Sequence, residues 1–279
     1  MKIAVTGATG FIGLHVVAEL ERHSISPILI CLPTAEIPTE LAKHVIIPLD
    51  LKYPPENMFE LMGRPDAIIH LAWAGLPNYK SLHHFEEELP IQYRFLKGLI
   101  ESGLKNLVVS GTCFEYGMLS GPLTEDLKTQ PNNPYGFAKD TLRHQLTYLQ
   151  QLNSFNLTWA RLFYPYGNGQ SQNSLLSQLK QAVERGQENF NMSGGEQLRD
   201  YLHVSEVARH LVALAMNGQN NGIVNVCSGT PISVRKLVEG WIAENNWRIN
   251  LNLGYYPYPD YEPMAFWGDN SKLKNLIKS

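Results

Sequence analysis

Cysteine is scarce in this 279-residue chain, and its three copies, Cys31, Cys113 and Cys227, stand far apart. An odd number without a C-x-x-C pair suggests neither a disulfide framework nor a zinc site, so no metal is expected. Unbridged cysteines suit a reducing compartment, and a cytoplasmic location is expected. A basic surplus is lacking too. Lys and Arg number 23 against 26 Asp and Glu, for a net charge of −3, which argues against a general nucleic-acid binder. No apolar run approaches the roughly 20 residues of a membrane span. The opening "MKIAVTGATG" shows no charged segment followed by a long apolar one, so neither a membrane anchor nor a signal peptide is expected. There is no repeat and no low-complexity segment. What is present is a 44% hydrophobic, 18% charged composition. It suits a globular fold with a sizeable core, in one large domain or two modest ones.

Short apolar runs alternate with helical patterns. "KIAVTG" (2–7), "SPILIC" (26–31), "HVIIPLD" (44–50), "DAIIHLA" (66–72), "KNLVVSG" (105–111) and "FNLTWARLF" (155–163) predict buried strands. Helical spacing falls at 11–23, 55–63, 83–103 and 134–152, with Pro90 marking a kink or late start. Continuous apolar strands separated by helices indicate a doubly wound α/β architecture, a parallel sheet covered on both faces. After residue 163 the pattern changes. "YPYGNGQSQNS" (164–174) predicts a loop, helices follow at 175–185 and about 234–245, and "YYPYPDYEPMAFWGD" (255–269) is dense in rings and prolines. The expected division is a dinucleotide-binding Rossmann domain over 1–163 and a smaller C-terminal substrate lobe over 164–279, parts of which could return to the main sheet.

"TGATGFIG" (6–13) follows the first strand and opens the first helix, with Gly7, Gly10 and Gly13 three apart. Such a turn lets backbone approach a pyrophosphate and presents a helix N-terminus to the anion. Dinucleotide binding is therefore expected. The acid that usually follows the second strand is missing from "CLPTAE" (31–36), and no arginine takes its place; Glu36 or a later residue could still serve. The reading leans to NADP(H) over NAD(H). Asp50, after the third strand, could accept a bond from the adenine amino group or merely cap the strand.

"YGFAKD" (135–140) opens a helix just after the helix-breaking "QPNNP" (130–134). Spacing of four residues sets Tyr135 and Lys139 on one helix face. An ammonium beside a phenol favours phenolate, so the spacing alone allows a general acid/base or an amphipathic helix with a partly buried Tyr and a surface Lys.

Together these motifs resemble the extended short-chain dehydrogenase/reductases, in the epimerase/dehydratase branch that acts on nucleotide sugars, over most of the chain. "HLAWAG" (70–75), "SGTCFEYG" (110–117), "YGFAK" (135–139), "RLFYPYGNG" (161–169) and "RDYLHVSEVA" (199–208) are similar to that branch's motifs and stand in its order. The resemblance implies that Thr112, Tyr135 and Lys139 are catalytic, with Lys139 lowering the phenol's pKa and holding the nicotinamide ribose. It implies a cofactor site of Gly7, Thr9, Gly10, Phe11, Ile12, Gly13, Asp50, Leu51, Leu71, Ala72, Trp73, Tyr135, Lys139 and Phe163. Ala74, Thr112, Cys113, Phe114, Tyr164 and Arg199 are implied on the substrate side, with Arg199 on the diphosphate, or else a surface residue paired with Asp200. "FNMSGG" (190–195) would pass near the base, and His203 would belong to the scaffold.

Departures from the pattern narrow the reaction. The acid pair of the family's 4,6-dehydratases is absent, since Cys113 and Phe114 follow Thr112. Cys113 also stands one residue short of the cysteine used by 3,5-epimerase/4-reductases, which makes it a packing residue. Tyr164 stands where Asn is common, and no C-terminal Arg is evident in "EPMAFWGD" (262–269). The resemblance then implies an NAD(P)H-dependent reductase of a nucleotide-linked 4-keto-6-deoxy sugar. The alternatives are a 4-epimerase that retains NAD, or a non-catalytic dinucleotide sensor. It also implies a homodimer paired through the helices at 83–103 and 134–152.

Overall fold

The computed structural model describes residues 1–278. Seven parallel strands form the main sheet: β1 (Ile3–Thr6), β2 (Ile28–Cys31), β3 (Val45–Pro48), β4 (Ala67–His70), β5 (Asn106–Thr112), β6 (Asn156–Leu162) and β7 (Gly222–Val226). Their order is β7-β6-β5-β4-β1-β2-β3. The chain runs outward from β1 through β3 and then crosses to the other side of β1. That reversal leaves a crevice beyond the carboxyl ends of β1 and β4, where ligands of such sheets bind.

Strand residues alternate between two cores, as side chains on successive strand positions must. Ile3, Val5, Ile69 and Val108 pack with Val16, Leu20, Leu211 and Leu273. These come from helices α1 (Phe11–Arg22), α5 (Val204–Asn217) and α7 (Ser271–Lys278). Ala4, Ile68, Val109 and Trp159 face Leu96, Leu99, Leu142 and Leu146 of α2 (Leu89–Glu101) and α3 (Pro134–Gln150). Burial on both faces is why the strands are apolar without interruption.

The helix expected over 83–103 is split into a π-helical turn at His84–Glu88 and α2, with Pro90 in the first turn of α2. Helical backbone is continuous from His83 to Glu101, and the widened π turn lies just ahead of Pro90, whose ring nitrogen cannot donate to it. The C-terminal part is divided between two cores. Strand β7 and helices α5 and α7 belong to the main layers, whereas α4 (Leu175–Glu184) and α6 (Val234–Glu244) build a separate core around Leu179, Phe190, Val238 and Trp241. The expected loop over 164–174 begins with a short strand, Tyr164–Tyr166, paired to Tyr201–His203. The aromatic C-terminal stretch contributes Phe266–Gly268, paired to Gly121–Leu123.

Asp200 ties these parts together. Its buried carboxylate accepts bonds from the Ser228 backbone N–H at 2.7 Å, the Ser228 hydroxyl at 2.7 Å, and the N–H groups of Gly229 and Gly268 at 2.9 and 3.3 Å. Removing it strands three backbone donors. Asp200→Ala is expected to lose on the order of 3 kcal/mol in urea unfolding. A loss below about 0.5 kcal/mol would contradict this account of how the two cores are joined.

Candidate active site

A cavity of about 600 Å³ opens at the crevice beyond β1 and β4. Its floor is the glycine turn. Gly7 has φ +70°, and a Cβ there would lie 2.9 Å from the Ala72 amide nitrogen; a Cβ on Gly13 would run into the Gly7 carbonyl oxygen. The two loops are joined at Thr6, whose Oγ1 accepts from the N–H groups of Leu71 at 3.2 Å and Ala72 at 3.3 Å. Having accepted twice, it donates to His70 Nδ1 at 2.9 Å. Burial lowers the His70 pKa to about 3, so the ring stays neutral. Helix α1 starts at Gly10 with no side-chain cap. Its first N–H groups and its positive dipole end are therefore left open at a surface that only glycine keeps low. These residues fit a dinucleotide pyrophosphate.

The reacting end is built from β5 and α3. Thr112 ends β5 and caps the short 3₁₀ turn Cys113–Tyr116: its Oγ1 accepts from the Phe114 N–H, and its own N–H donates to Glu115. Asn133 caps α3 by accepting from the Gly136 N–H at 2.9 Å, and Pro134 follows in the first turn. The helix start is thus fixed where Tyr135 and Lys139 face the cavity. Thr112 and Tyr135 stand together in the wall of this cavity. Lys139 Nζ donates to the Ser110 carbonyl at 2.9 Å and sits 4.0 Å above the Trp73 ring centroid.

The electrostatics run against the expectation that Lys139 makes the phenol acidic. Burial pushes the Tyr135 phenol well above its ordinary range, with the neighbouring Tyr79 adding in the same direction; the nearby Thr112 hydroxyl opposes them. Lys139 is itself the strained group: burial lowers its pKa from 10.5 to about 7, against the pull of Glu115 and Glu88. The ammonium lies 6.0 Å from the phenol ring centroid. The phenol is held protonated, beside a lysine whose proton burial has loosened.

Gly7, Gly10, Phe11, Ile12, Gly13, Leu71, Trp73 and Phe163 line this cavity on the cofactor side, and Thr112, Cys113, Phe114, Tyr135, Lys139 and Tyr164 at the reacting end. Thr9, Asp50, Leu51, Ala72 and Ala74 are not in its wall. Asp50 instead accepts from the Lys52 N–H at 2.9 Å, and the Ala74 N–H donates to Glu88 at 3.1 Å. Arg199 needs correction. It is buried, and its Nε and Nη2 donate to Glu262 at 3.2 and 2.9 Å. Nη1 donates to the carbonyls of Leu198 at 2.9 Å and Met264 at 3.3 Å. This guanidinium lies outside the cavity wall. Its partner is Glu262, not Asp200.

Sequence reasoning passes over Glu115, Tyr79 and His84. Glu115 is fully buried and accepts from Trp159 Nε1 at 2.9 Å, Arg161 Nε at 2.6 Å and the Thr112 N–H at 2.8 Å. It holds Thr112 in place from below. A single Glu in a turn gives no sign that Trp159 and Arg161 will meet it.

The buried ammonium has a consequence for stability. Below about pH 7 Lys139 is charged in both the folded and unfolded protein, and the cost of burying it is complete. Between pH 7 and its ordinary 10.5 the folded protein releases the proton first, so stability rises with pH. Lys139→Met is therefore expected to be more stable than the parent by on the order of 2 kcal/mol at pH 6. That advantage should shrink toward pH 10. Urea midpoints across that range check it, and a variant that is less stable at pH 6 contradicts it.

With this geometry in hand, comparisons with known proteins are informative. Residues 3–227 match the family model described as the NAD dependent epimerase/dehydratase family. The chain is 32% identical over 277 residues to a dTDP-6-deoxy-L-talose 4-dehydrogenase (NAD(+)) of Aggregatibacter actinomycetemcomitans, covering 96% of this chain and 99% of that one. Among solved structures it is similar to MoeE5 in complex with UDP-glucose and NAD, with TM-score 0.84, 26% identity, and coverage of 100% and 92%. A UDP-N-acetylglucosamine 4-epimerase from Methanobrevibacter ruminantium M1 shares the fold at TM-score 0.87 and 22% identity, with coverage of 99% and 91%. The glycine turn, the seven-stranded sheet and the Tyr-x-x-x-Lys helix are thus those of a lineage, and the chain belongs to the NAD-dependent epimerase/dehydratase family.

Proposed function

We propose that the protein catalyses hydride transfer at carbon 4 of a nucleotide-linked 6-deoxy sugar, acting as a 4-keto-reductase in the reducing direction. The observation that carries this reading is the convergence of the Thr112 hydroxyl, the Tyr135 phenol and the Lys139 ammonium on one cavity wall. The dTDP-6-deoxy-L-talose 4-dehydrogenase at 32% identity over nearly the whole chain is named for the same carbon and sugar class. MoeE5, at 26% identity, holds UDP-glucose and NAD.

NAD(H) is the cofactor we assign. No cation stands between Leu32 and Glu36 to receive a 2′-phosphate, and the relative's name specifies NAD(+). The earlier lean to NADP(H) finds no supporting residue there. When bound, the nicotinamide ring supplies the hydride. Thr112 Oγ1 and Tyr135 Oη hold the sugar's carbon 4 oxygen. Tyr135, kept protonated by burial, gives its proton to that oxygen as the carbon gains the hydride. The phenolate left behind faces the charge of Lys139, and a solvent proton restores the phenol. The small lobe supplies Tyr166, Tyr201 and Trp241 to the sugar end of the cavity. The pairing of two copies through α2 and α3 remains part of the proposal. It is supported by Phe137 and Tyr148, 50% and 67% exposed on α3, and by Phe85 packed against Phe137.

Purified protein should consume NADH in stoichiometric amount with a dTDP-4-keto-6-deoxyhexose, followed by nicotinamide absorbance. Interconversion of two nucleotide sugars with no net change in cofactor would establish the epimerase instead. Tyr135→Phe is expected to lower kcat by roughly 10²–10⁴-fold with NADH affinity unchanged; a fully active variant would remove the proton donor assigned here.

A further inference from the structure

We propose that His84 is a positioning residue for this site: as a neutral imidazole protonated on Nε2, it fixes the Trp73 indole as a π-face cover over the Lys139 ammonium. The inference rests on the reading of Lys139 as part of the hydride-transfer site, and goes beyond it in naming what holds that charge in place.

The hydrogen bonds decide the tautomer. Trp73 Nε1–H, which can only donate, reaches His84 Nδ1 at 3.1 Å. His84 Nε2 lies 2.8 Å from the Asn78 carbonyl oxygen, which can only accept. Both bonds form together only when Nδ1 is bare and Nε2 carries the proton. A second proton would break the bond to Trp73. Burial lowers the His84 pKa, in the direction that keeps the ring neutral.

The surroundings are shaped around this ring. His84 is fully buried and opens the π-helical turn before α2. Gly75, with φ +83°, passes so close that a Cβ would stand 3.3 Å from His84 Cε1 and 3.0 Å from His83 Cδ2. On the far side of the same loop, Glu88 accepts from the Ala74 N–H and holds Gln92 at 2.9 Å. Trp73 is thus gripped at its indole nitrogen by His84 and at its following residue by Glu88. Its ring meets the Tyr135 ring edge-on, with centroids 6.0 Å apart, and lies over Lys139 Nζ, 4.0 Å from the centroid. The other partner of that ammonium is a carbonyl, Ser110 O. The π-face and the carbonyl join the pull of Glu115 and Glu88 in favouring the charged form of an amine that burial works to neutralise. The titratable groups facing Lys139 are Tyr135 on its own helix, Glu115 after β5, Glu88 and His84 in the π-helical turn, and His70 at the end of β4.

Two substitutions separate the two nitrogens. In His84→Asn the side-chain oxygen takes the place of Nδ1 and can still accept from Trp73. In His84→Gln the amide nitrogen can still donate to Asn78 O, but no acceptor stands at the δ position. The Gln variant should lose about tenfold in kcat with KM for the nucleotide sugar held, and Asn should recover most of that loss. Its alkaline loss of activity should also begin at lower pH, because Lys139 gives up its proton sooner once the ring can turn away. Trp73→Phe should resemble His84→Gln, and the double variant should be no worse than either alone. Imidazole ¹⁵N spectra of the native protein without ligands supply a readout independent of turnover. At neutral pH His84 should show a bare Nδ1 and a protonated Nε2. A charged ring, an Nδ1–H tautomer, or Gln and Asn variants indistinguishable in kcat and pH profile would overturn the proposal. Failure of the native protein to oxidise NADH with any keto sugar would count against the assigned reaction instead, and would leave the spectroscopic result standing.

Discussion

A lysine ammonium buried without a bonded carboxylate is the constraint around which the cleft is arranged. Lys139 is 1% exposed, and its hydrogen bond goes to a backbone carbonyl. Placing a cation there costs stability, and burial draws its pKa to about 7. The features that place it exist on several elements at once. Asn133 and Pro134 begin α3 at the right residue. The end of β5 offers the Ser110 carbonyl, and the loop after β4 lays Trp73 over the charge. A paired lysine would be more stable and less useful, because a carboxylate neighbour would cancel the field felt by a phenolate or an alkoxide in the cavity.

Glu115 shows how the same protein treats a charge whose role is scaffolding. That carboxylate is equally buried, yet it accepts from Trp159, Arg161 and the Thr112 amide, so its lone pairs are filled. Arg199 and Glu262 repeat the pattern across the small lobe. Buried charges that hold elements together are paired, and the one facing the cavity is not. The contrast separates groups kept for geometry from groups kept for chemistry more sharply than burial alone does.

What could be read from the chain was local. The glycine turn is legible because its function lies in backbone shape over eight consecutive residues, and the Tyr135–Lys139 spacing because a helix makes it a contact. The main-sheet strands announce themselves as apolar runs bounded by turns. What escaped depends on partners distant in the chain. Arg199 looks available until Glu262, 63 residues on, is found against it. That part of the C-terminal segment could return to the main sheet was legible, but which part was not: it is strand β7, in register with β6, Ile223 beside Trp159 and Asn225 beside Arg161. The sign of the phenol's shift was misjudged for a related reason. Spacing places an ammonium near the phenol, but burial is set by Trp73 and Tyr79 from the loop after β4 and by Phe114 from the turn after β5.

The occupied Arg199 alters how the cavity handles an anion. Among the residues lining it, Lys139 alone carries a formal positive charge; the remainder are glycines, aliphatics, rings and neutral donors such as Gln170, Asn173 and Ser174. A dinucleotide and a sugar nucleotide each bring a diphosphate. Backbone N–H groups at the Gly10 start of α1 answer the first. They work through short-range hydrogen bonds and a dipole that fades within a turn, not through a net charge felt across the cleft. The lone cation is then free of competition for position, since no second charge in the wall pulls the substrate away from it. A cavity neutral except at its reacting end concentrates its electrostatic asymmetry where the proton and hydride move, which is where a field changes a rate and not merely an affinity.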